Sequence, residues 1–312
     1  MYGKLGQGNP FIYEHRKDPL VMVPMPELLL SGVSRLSGLS IGSGMILYAF
    51  LFTAGLFLLS YLLTEELSQS RLAGITAGLY VVLGSHLLST RFLFAGKIFD
   101  GSYSYPLWFL KPISPQFNFL LFFAALVLVW RSLNRLLLCW TVAAGIAIGI
   151  LFYIGVFYWS FLYAGLGVLC LWVLLAEKDG RRARILCLEV LISLVVSLPY
   201  WAWTWKAMRD PGLTYLLQRL DVVNSHAPLL PWIHLFVLVW LAIVTITTSP
   251  QTSAGQTLAM SYMVALSVGG ILVLNQHVLT GKLFQPSHWQ SYTNKTFGIV
   301  AVTAATALFL RH

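Results

Sequence analysis

Nine apolar stretches dominate the chain, and polar segments of two kinds separate them. The stretches are continuously apolar rather than alternating, which predicts membrane helices and not barrel strands, since a span needs roughly 20 apolar residues. The expected fold class is therefore all-α, a polytopic transmembrane helix bundle of about nine spans. The predicted spans lie near residues 42–63, 72–90, 116–131, 136–153, 157–176, 185–204, 229–247, 257–275 and 297–310.

The polar segments alternate in character, and this alternation predicts the orientation of the bundle. Segment 177–184 holds one lysine and three arginines, and the short gap around Arg131–Arg135 is also basic. The positive-inside rule assigns this side, with the C-terminus, to the cytoplasm. We expect a multi-pass protein of the bacterial inner membrane. Its longer outer segments would be residues 1–41, 91–115, 205–228 and 276–296.

Residues 1–41 are predicted to form an outer segment, followed by the bundle at 42–312. The charged run at 14–18 and the lack of an apolar core exclude a signal peptide. Pro26 and Glu27 favour a helix start, and the leucines that follow predict an amphipathic helix lying in the membrane interface. Nothing in this segment would carry it across the membrane. The pattern therefore favours loss of a preceding transmembrane helix, with insertion of an outside N-terminus as the alternative.

The amino-acid composition argues against a soluble protein and against a nucleic-acid-binding protein. With 58% hydrophobic and 10% charged residues, the chain is far outside the range of soluble domains. The net charge of +9 is scattered among loops beside apolar helices, which indicates contact with membrane lipids and not with nucleic acid. Cys139, Cys170 and Cys187 lie inside spans without metal spacing, so neither a disulfide nor a metal site is predicted. No phosphate-cradling GxxxxGK[ST], HExxH or GxSxG motif is present.

Local patterns add three expectations. Gly74–Gly78 and Gly145–Gly149 are small-residue pairs of the kind that lets helices approach closely. The stretch after Gly212 predicts an amphipathic surface helix. Asn294–Thr296 is a glycosylation sequon on the outer side.

The outer segments combine cations with aromatic side chains. Arg91 and Lys111 belong to segment 91–115, and Lys282, His288 and Trp289 to segment 276–296. Lysine and arginine neutralise a lipid phosphate at head-group depth, and aromatic faces stack on sugar rings. The simpler interpretation is an aromatic belt with lysines that reach the head groups. The combination favours an amphiphile whose phosphate lies at the interface.

Three stretches carry a resemblance to a known family: GNPFIYEHRKDPLVMVPMPELLL at 8–30, KPISPQFNFLLFF at 111–123 and NQHVLTGKLFQPSHW at 275–289. Together they resemble the GT-C class of polytopic membrane glycosyltransferases. The resemblance implies transfer of a sugar from a polyprenyl-phosphate donor to a glycan, lipid or protein acceptor at the outer membrane face. It implies no particular cofactor, although a divalent cation would be compatible with it.

The resemblance also implies roles for individual residues. An acid in the first outer loop would act as the catalytic base, and Glu14 and Asp18 are the acids that remain there. Both lie late in the loop, so we expect the true base upstream of Met1 and a chain that could be truncated and inactive. The implied substrate-binding residues are Arg91, Lys111 and Lys282 for the phosphate, with His288 and Trp289 beside them.

Other functions stay open at this point. A transporter or flippase for a lipid-linked or small amphiphilic substrate would need a central polar pathway, and usually has broken helices or internal repeats. The spans hold few ionisable residues and show no repeat. An O-antigen polymerase or ligase would share the outer-loop chemistry. A non-catalytic membrane scaffold is the last alternative.

Overall fold

The computed structural model describes residues 25–84, 116–209, 222–247 and 253–311, and these residues are mostly helical. The helices are α1 (Met25–Ser37), α2 (Ile41–Ser68), α3 (Arg71–Leu79), α4 (Asn118–Arg135), α5 (Leu138–Leu151), α6 (Val156–Leu175), α7 (Gly180–Ala207), α8 (Trp232–Thr247), α9 (Ala254–Leu274), α10 (Gln276–Thr280), α11 (Pro286–His288) and α12 (Lys295–Phe309). Two π-helical segments, Tyr80–Gly84 and Trp289–Asn294, adjoin α3 and α12. The strands β1 (Val222–Asn224) and β2 (Lys282–Phe284) form an antiparallel pair.

Five helices are long and apolar enough to cross a membrane, namely α2, α4, α6, α7 and α9, and they indicate a membrane protein. Helices α3, α5 and α8 are apolar but shorter, and α12 has 15 residues. Each predicted span thus contains a helix, and residues 85–90 of the second span lie outside the described residues. That the four shorter helices also cross the membrane stays a prediction, as does the interfacial position of α1.

The bundle is centred on α6, which packs along α9. Helix α5 lies between α4 and α7, and α12 contacts both α2 and α8. Aromatic side chains fill the space between these helices: Phe122 contacts the ring of Phe161 with centroids 5.6 Å apart, and Phe161 contacts Phe297 at 5.7 Å. All three are completely buried. The apolar residues that the sequence places in spans therefore also form the protein core.

Glycines set the closest helix contacts. The pair Gly74–Gly78 faces α2 and the pair Gly145–Gly149 faces α7, so both predicted small-residue pairs lie at helix crossings. A third crossing, at Gly165 on α6 and Gly269 on α9, was not predicted. A Cβ atom added to Gly269 would lie 2.4 Å from the backbone nitrogen of Gly165. Backbone atoms cannot move aside there, so this contact requires glycine.

Polar contacts gather several helix termini at one end of the bundle, here called the arginine-rich end. Arg131 at the end of α4 pairs with Glu66 near the end of α2, with Nη2 2.6 Å from Oε1. Arg311 after α12 donates to the carbonyl oxygen of Gln69, which follows α2. Ser261 of α9 donates to Glu177 after α6, over 2.8 Å. These contacts match the predicted grouping of the short polar segments.

Asp179 caps the N-terminus of α7. Its Oδ1 accepts hydrogen bonds from the backbone N–H groups of Arg181 and Arg182, each over 3.0 Å. These bonds, together with the charge of Arg182, hold the pKa of the Asp179 carboxyl below its usual value. A carboxylate at this position satisfies two of the four N–H groups that a helix start leaves without partners.

We expect Asp179→Ala to lower the free energy of unfolding by about 1 kcal/mol, because the two N–H groups lose their acceptor. Since the pKa is lower in the folded state, the contribution of Asp179 is present above the unfolded pKa of about 3.9 and is lost as pH falls through the folded pKa. Thermal unfolding in detergent between pH 3 and pH 7 measures both effects. Asp179→Asn, which can cap without a charge, is the control: it should lose the pH dependence and keep most of the stability. Equal melting temperatures for Asp179→Ala and the wild type would contradict the capping role.

Candidate functional site at the second π-helical segment

The predicted site residues divide between described and undescribed parts of the chain. Glu14, Asp18, Arg91 and Lys111 lie outside the described residues. Lys282, His288 and Trp289 lie within them, in the segment between α9 and α12.

The strand pair anchors this segment at the end of the bundle opposite to the arginine-rich end. Asn224 of β1 pairs with Lys282 of β2, and Val222 pairs with Phe284. Gly281 adopts the left-handed conformation, with φ of +70°, that lets α10 end and turn directly into β2. Most of the predicted surface helix after Gly212 lies outside the described residues, and its described end contains the strand β1 and no helix. The cause is the pairing with β2, a partner about 60 residues away along the chain that no local pattern reveals.

The π-helical segment Trp289–Asn294 follows α11. The hydroxyl of Thr293 donates to the carbonyl oxygen of Trp289 over 3.1 Å, and the hydroxyl of Thr296 donates to the carbonyl oxygen of Tyr292 over 2.8 Å. A threonine hydroxyl that bonds to a backbone carbonyl competes with the i to i−4 hydrogen bonds of an α-helix. Such bonds are compatible with the wider π turn, which contains one extra residue. Such turns occur frequently at functional sites.

Aromatic rings surround the start of this segment. The His288 ring stacks on Phe157 of α6 with centroids 5.3 Å apart and meets the edge of Tyr292 at 4.8 Å. Phe284 of β2 stacks on Phe157 at 5.5 Å, and Tyr158 stacks on Tyr292 at 6.3 Å. We call these five residues the aromatic cluster.

His288 carries the polar chemistry of the aromatic cluster. The residue is half-buried, and its Nδ1 atom is buried without a hydrogen-bond partner among the described residues. Burial lowers the pKa of the His288 imidazole, so the ring is neutral at neutral pH. A neutral imidazole offers one N–H donor and one acceptor nitrogen. His288 therefore has hydrogen-bonding capacity available for a ligand.

Lys295 is a further candidate that sequence reasoning missed. It is the first residue of α12, directly follows the π-helical segment and is half-buried. A lysine buried beside apolar groups is costly and therefore a functional candidate. The sequence feature that could have identified Lys295 is its position as the cation directly before the last apolar stretch.

Trp289 and Lys282 occupy different environments. Trp289 is 4% exposed, and its indole N–H donates to the carbonyl oxygen of Phe284 over 2.9 Å. Lys282 is exposed, and its Nζ donates to Oδ1 of Asn224 over 2.7 Å. Trp289 thus anchors the segment to the bundle, and Lys282 lies on the exposed strand pair. Contact of either residue with a substrate stays a prediction.

The glycosylation sequon is part of the core. Asn294 is completely buried and Thr296 is 1% exposed. The Asn294 amide is therefore not accessible for glycosylation in the folded protein.

A second set of buried polar side chains lies on α7. Glu189, Ser193 and Ser197, spaced by four residues, are all completely buried and form what we call the polar stripe. The Glu189 carboxyl contacts the Ser132 hydroxyl of α4, and Ser193 bonds to the Tyr163 hydroxyl over 2.6 Å. Glu189, the acid inside the predicted span 185–204, is not among the predicted site residues.

No protein-family model, curated protein or solved structure matches this chain. The described ranges also hold no group of three or more His, Cys, Asp or Glu side chains that could bind a metal ion.

Proposed function

We propose that this protein is a membrane glycosyltransferase that moves a sugar from a polyprenyl-phosphate donor to a glycan, lipid or protein acceptor. The aromatic cluster with His288 and Lys295 would bind the phosphate end of the donor. The observation that carries the proposal is the His288 ring, half-buried among aromatic rings with a ring nitrogen free of protein partners in the described part of the chain.

The chemistry of these residues suits an anionic amphiphile. Lys295 would supply positive charge at the edge of the apolar core, and the neutral His288 would donate a hydrogen bond to a phosphate oxygen. The faces of Phe157 and Tyr292 would contact the apolar faces of a sugar ring or the first isoprene units. Arg91 and Lys111 are the proposed further phosphate contacts, and the catalytic base stays a proposal at Glu14 or Asp18.

The proposed setting is the bacterial inner membrane. The aromatic cluster would lie at the outer face, and the arginine-rich end, with the C-terminus, in the cytoplasm. The grouping of Arg131, Glu66 and Arg311 at one end supports this orientation. A protease-cleavable tag after His312 tests it, because a cytoplasmic tag is cleaved only after the spheroplasts are opened.

Binding of undecaprenyl phosphate tests the proposed site without knowledge of the sugar. The full chain in nanodiscs should bind this lipid, and His288→Ala and Lys295→Gln should each weaken binding by about ten- to one-hundredfold. This range corresponds to one lost hydrogen bond to a charged group, about 1.5–3 kcal/mol. Native mass spectrometry of the lipid-bound protein, across a titration, measures the affinities.

Lys206→Gln is the matched control. Lys206 is an exposed lysine in the last turn of α7 and should contribute little to binding. Lys282→Gln tests whether Lys282 contacts the lipid phosphate. If it does, this variant should bind undecaprenyl phosphate more weakly; if Lys282 bonds only to Asn224, the affinity should not change. Equal affinities for the wild type, His288→Ala and Lys295→Gln would exclude the aromatic cluster as the phosphate site.

The polar stripe on α7 favours a second candidate, a transporter or flippase. Three buried polar side chains on successive turns of the helix provide part of the pathway that such a protein needs inside the membrane. A vesicle assay decides between the two functions: a flippase moves a fluorescent polyprenyl-phosphate lipid between leaflets, whereas a transferase releases polyprenyl phosphate from a labelled donor when an acceptor is present.

A further inference from the structure

Glu189 lies deep inside a helix that is long enough to cross the membrane. It is nine residues from the start of α7, about 14 Å at the rise of an α-helix, and it is completely buried. A carboxyl group in this position is expensive to ionise and is a functional candidate by its location alone.

The contacts of Glu189 lack what an ionised carboxylate needs. Ser132 of α4 is its hydrogen-bond partner, and Oε2 has no partner among the described residues. The Ser132 hydroxyl also lies 2.8 Å from the carbonyl oxygen of Val129. Since a hydroxyl has one proton, it cannot donate to both oxygens. A protonated Glu189 resolves this conflict, because it donates to Ser132 Oγ while Ser132 donates to Val129.

The neighbouring helices bring no charge to Glu189. From α5, Gly145 packs against its backbone carbonyl, and from α6 the Tyr163 hydroxyl bonds to Ser193. From α9, Tyr262 lies near Glu189, and its hydroxyl donates to the carbonyl oxygen of Leu126 over 2.9 Å.

The arginines nearest to this site are engaged elsewhere. Arg131, which precedes Ser132, binds Glu66, and Arg182 of α7 lies 2.9 Å from Asp179. Arg184, the arginine nearest to Glu189 along the chain, is exposed, and its Nε donates to a backbone carbonyl of its own helix over 3.1 Å. Among the described residues, therefore, no cation compensates a charge on Glu189.

We propose that Glu189 is a proton-binding site within the membrane, with Ser132 as the acceptor of the bound proton. The site is independent of the proposed transferase activity, because it lies toward the arginine-rich end and shares no residue with the aromatic cluster. The ligand is a proton, which would enter from either face of the bundle.

Dicyclohexylcarbodiimide tests this site, because a protonated carboxyl within a membrane adds its O–H across a C=N bond of this apolar reagent. The carboxyl oxygen bonds to the central carbon and the proton moves to nitrogen, and the adduct rearranges to a stable N-acylurea. The full chain in nanodiscs is treated from pH 5 to pH 10, and the modified peptides are quantified by mass spectrometry. We expect modification of Glu189 at low pH, with a tenfold decline per pH unit above its midpoint. Glu66, paired with Arg131, is the internal control and should show much less modification at neutral pH.

Glu189→Gln provides the second measurement. Glutamine matches the shape of a neutral carboxylic acid and can donate to Ser132, so this variant should fold, melt like the wild type and lose the modification. Absence of Glu189 modification at every pH would overturn the proposal, as would modification that does not change with pH. A large loss of stability in Glu189→Gln would also count against it, since it would indicate that the negative charge is required.

Discussion

Replacing Gly269 with leucine is expected to lower the free energy of unfolding by about 3 kcal/mol or more. This is the upper end of the usual cost of inserting a larger side chain into a well-packed core. The new Cβ would lie 2.4 Å from the nitrogen and 2.6 Å from the Cα of Gly165. Both are backbone atoms, so α6 and α9 would have to separate. These two helices form the central contact of the bundle, and their separation would expose the aromatic core around Phe161.

Thermal unfolding in detergent, with size-exclusion chromatography for correct folding, measures this effect. Gly167→Leu is the matched control, because Gly167 lies on the same helix α6 as Gly165 and a Cβ there would meet nothing within 4 Å. The control should melt at or above the wild-type temperature, since leucine is a better helix former than glycine. Equal unfolding temperatures for Gly269→Leu and Gly167→Leu would contradict the close approach of α6 and α9 at Gly269.

Trp289→Ala is expected to lower the free energy of unfolding by about 3–5 kcal/mol, the usual cost of removing a buried tryptophan. The Trp289 indole is 4% exposed, meets Phe157 with ring centroids 5.0 Å apart and donates to the carbonyl oxygen of Phe284. Loss of these contacts would release the π-helical segment from α6. Because His288 directly precedes Trp289, binding of undecaprenyl phosphate should weaken as well.

Trp289→Phe separates packing from direct substrate contact. Phenylalanine keeps most of the apolar contact with Phe157 and loses one hydrogen bond, which is worth about 1 kcal/mol. If Trp289 acts only as an anchor, this variant should bind the lipid almost like the wild type. A large loss of binding at near-normal stability would instead support the predicted substrate contact of Trp289. Calorimetry and lipid titration on the same preparations distinguish the two roles.

The helices were predictable because long apolar runs have few stable alternatives. A membrane segment must satisfy its backbone hydrogen bonds internally, so each run predicts a helix without knowledge of its neighbours. The glycine pairs at Gly74–Gly78 and Gly145–Gly149 were also visible, since they recur at helical spacing along one chain segment. The crossing of Gly165 with Gly269 was not, because its two members lie about 100 residues apart.

The candidate site was predictable in part. His288 stood out as a polar group in a long outer segment, and the structure places it among aromatic rings. Lys295 did not stand out, because its half-buried position depends on how α12 meets the rest of the bundle. Glu189 was missed for the same reason: a lone acid in an apolar run could face lipid, water or a neighbouring helix, and only the packing of α7 against α4 distinguishes these environments.

By itself, the amino-acid sequence determined that this protein is a helical membrane protein and roughly where its apolar helices lie. It also determined that the two kinds of polar segment alternate, because hydrophobicity and charge act locally and accumulate over each segment. Tertiary structure alone decided which side chains meet: the pairing of β1 with β2, the rings around His288, the close contact at Gly269 and the burial of Glu189. These features depend on contacts between residues distant along the chain, whose register no local pattern encodes.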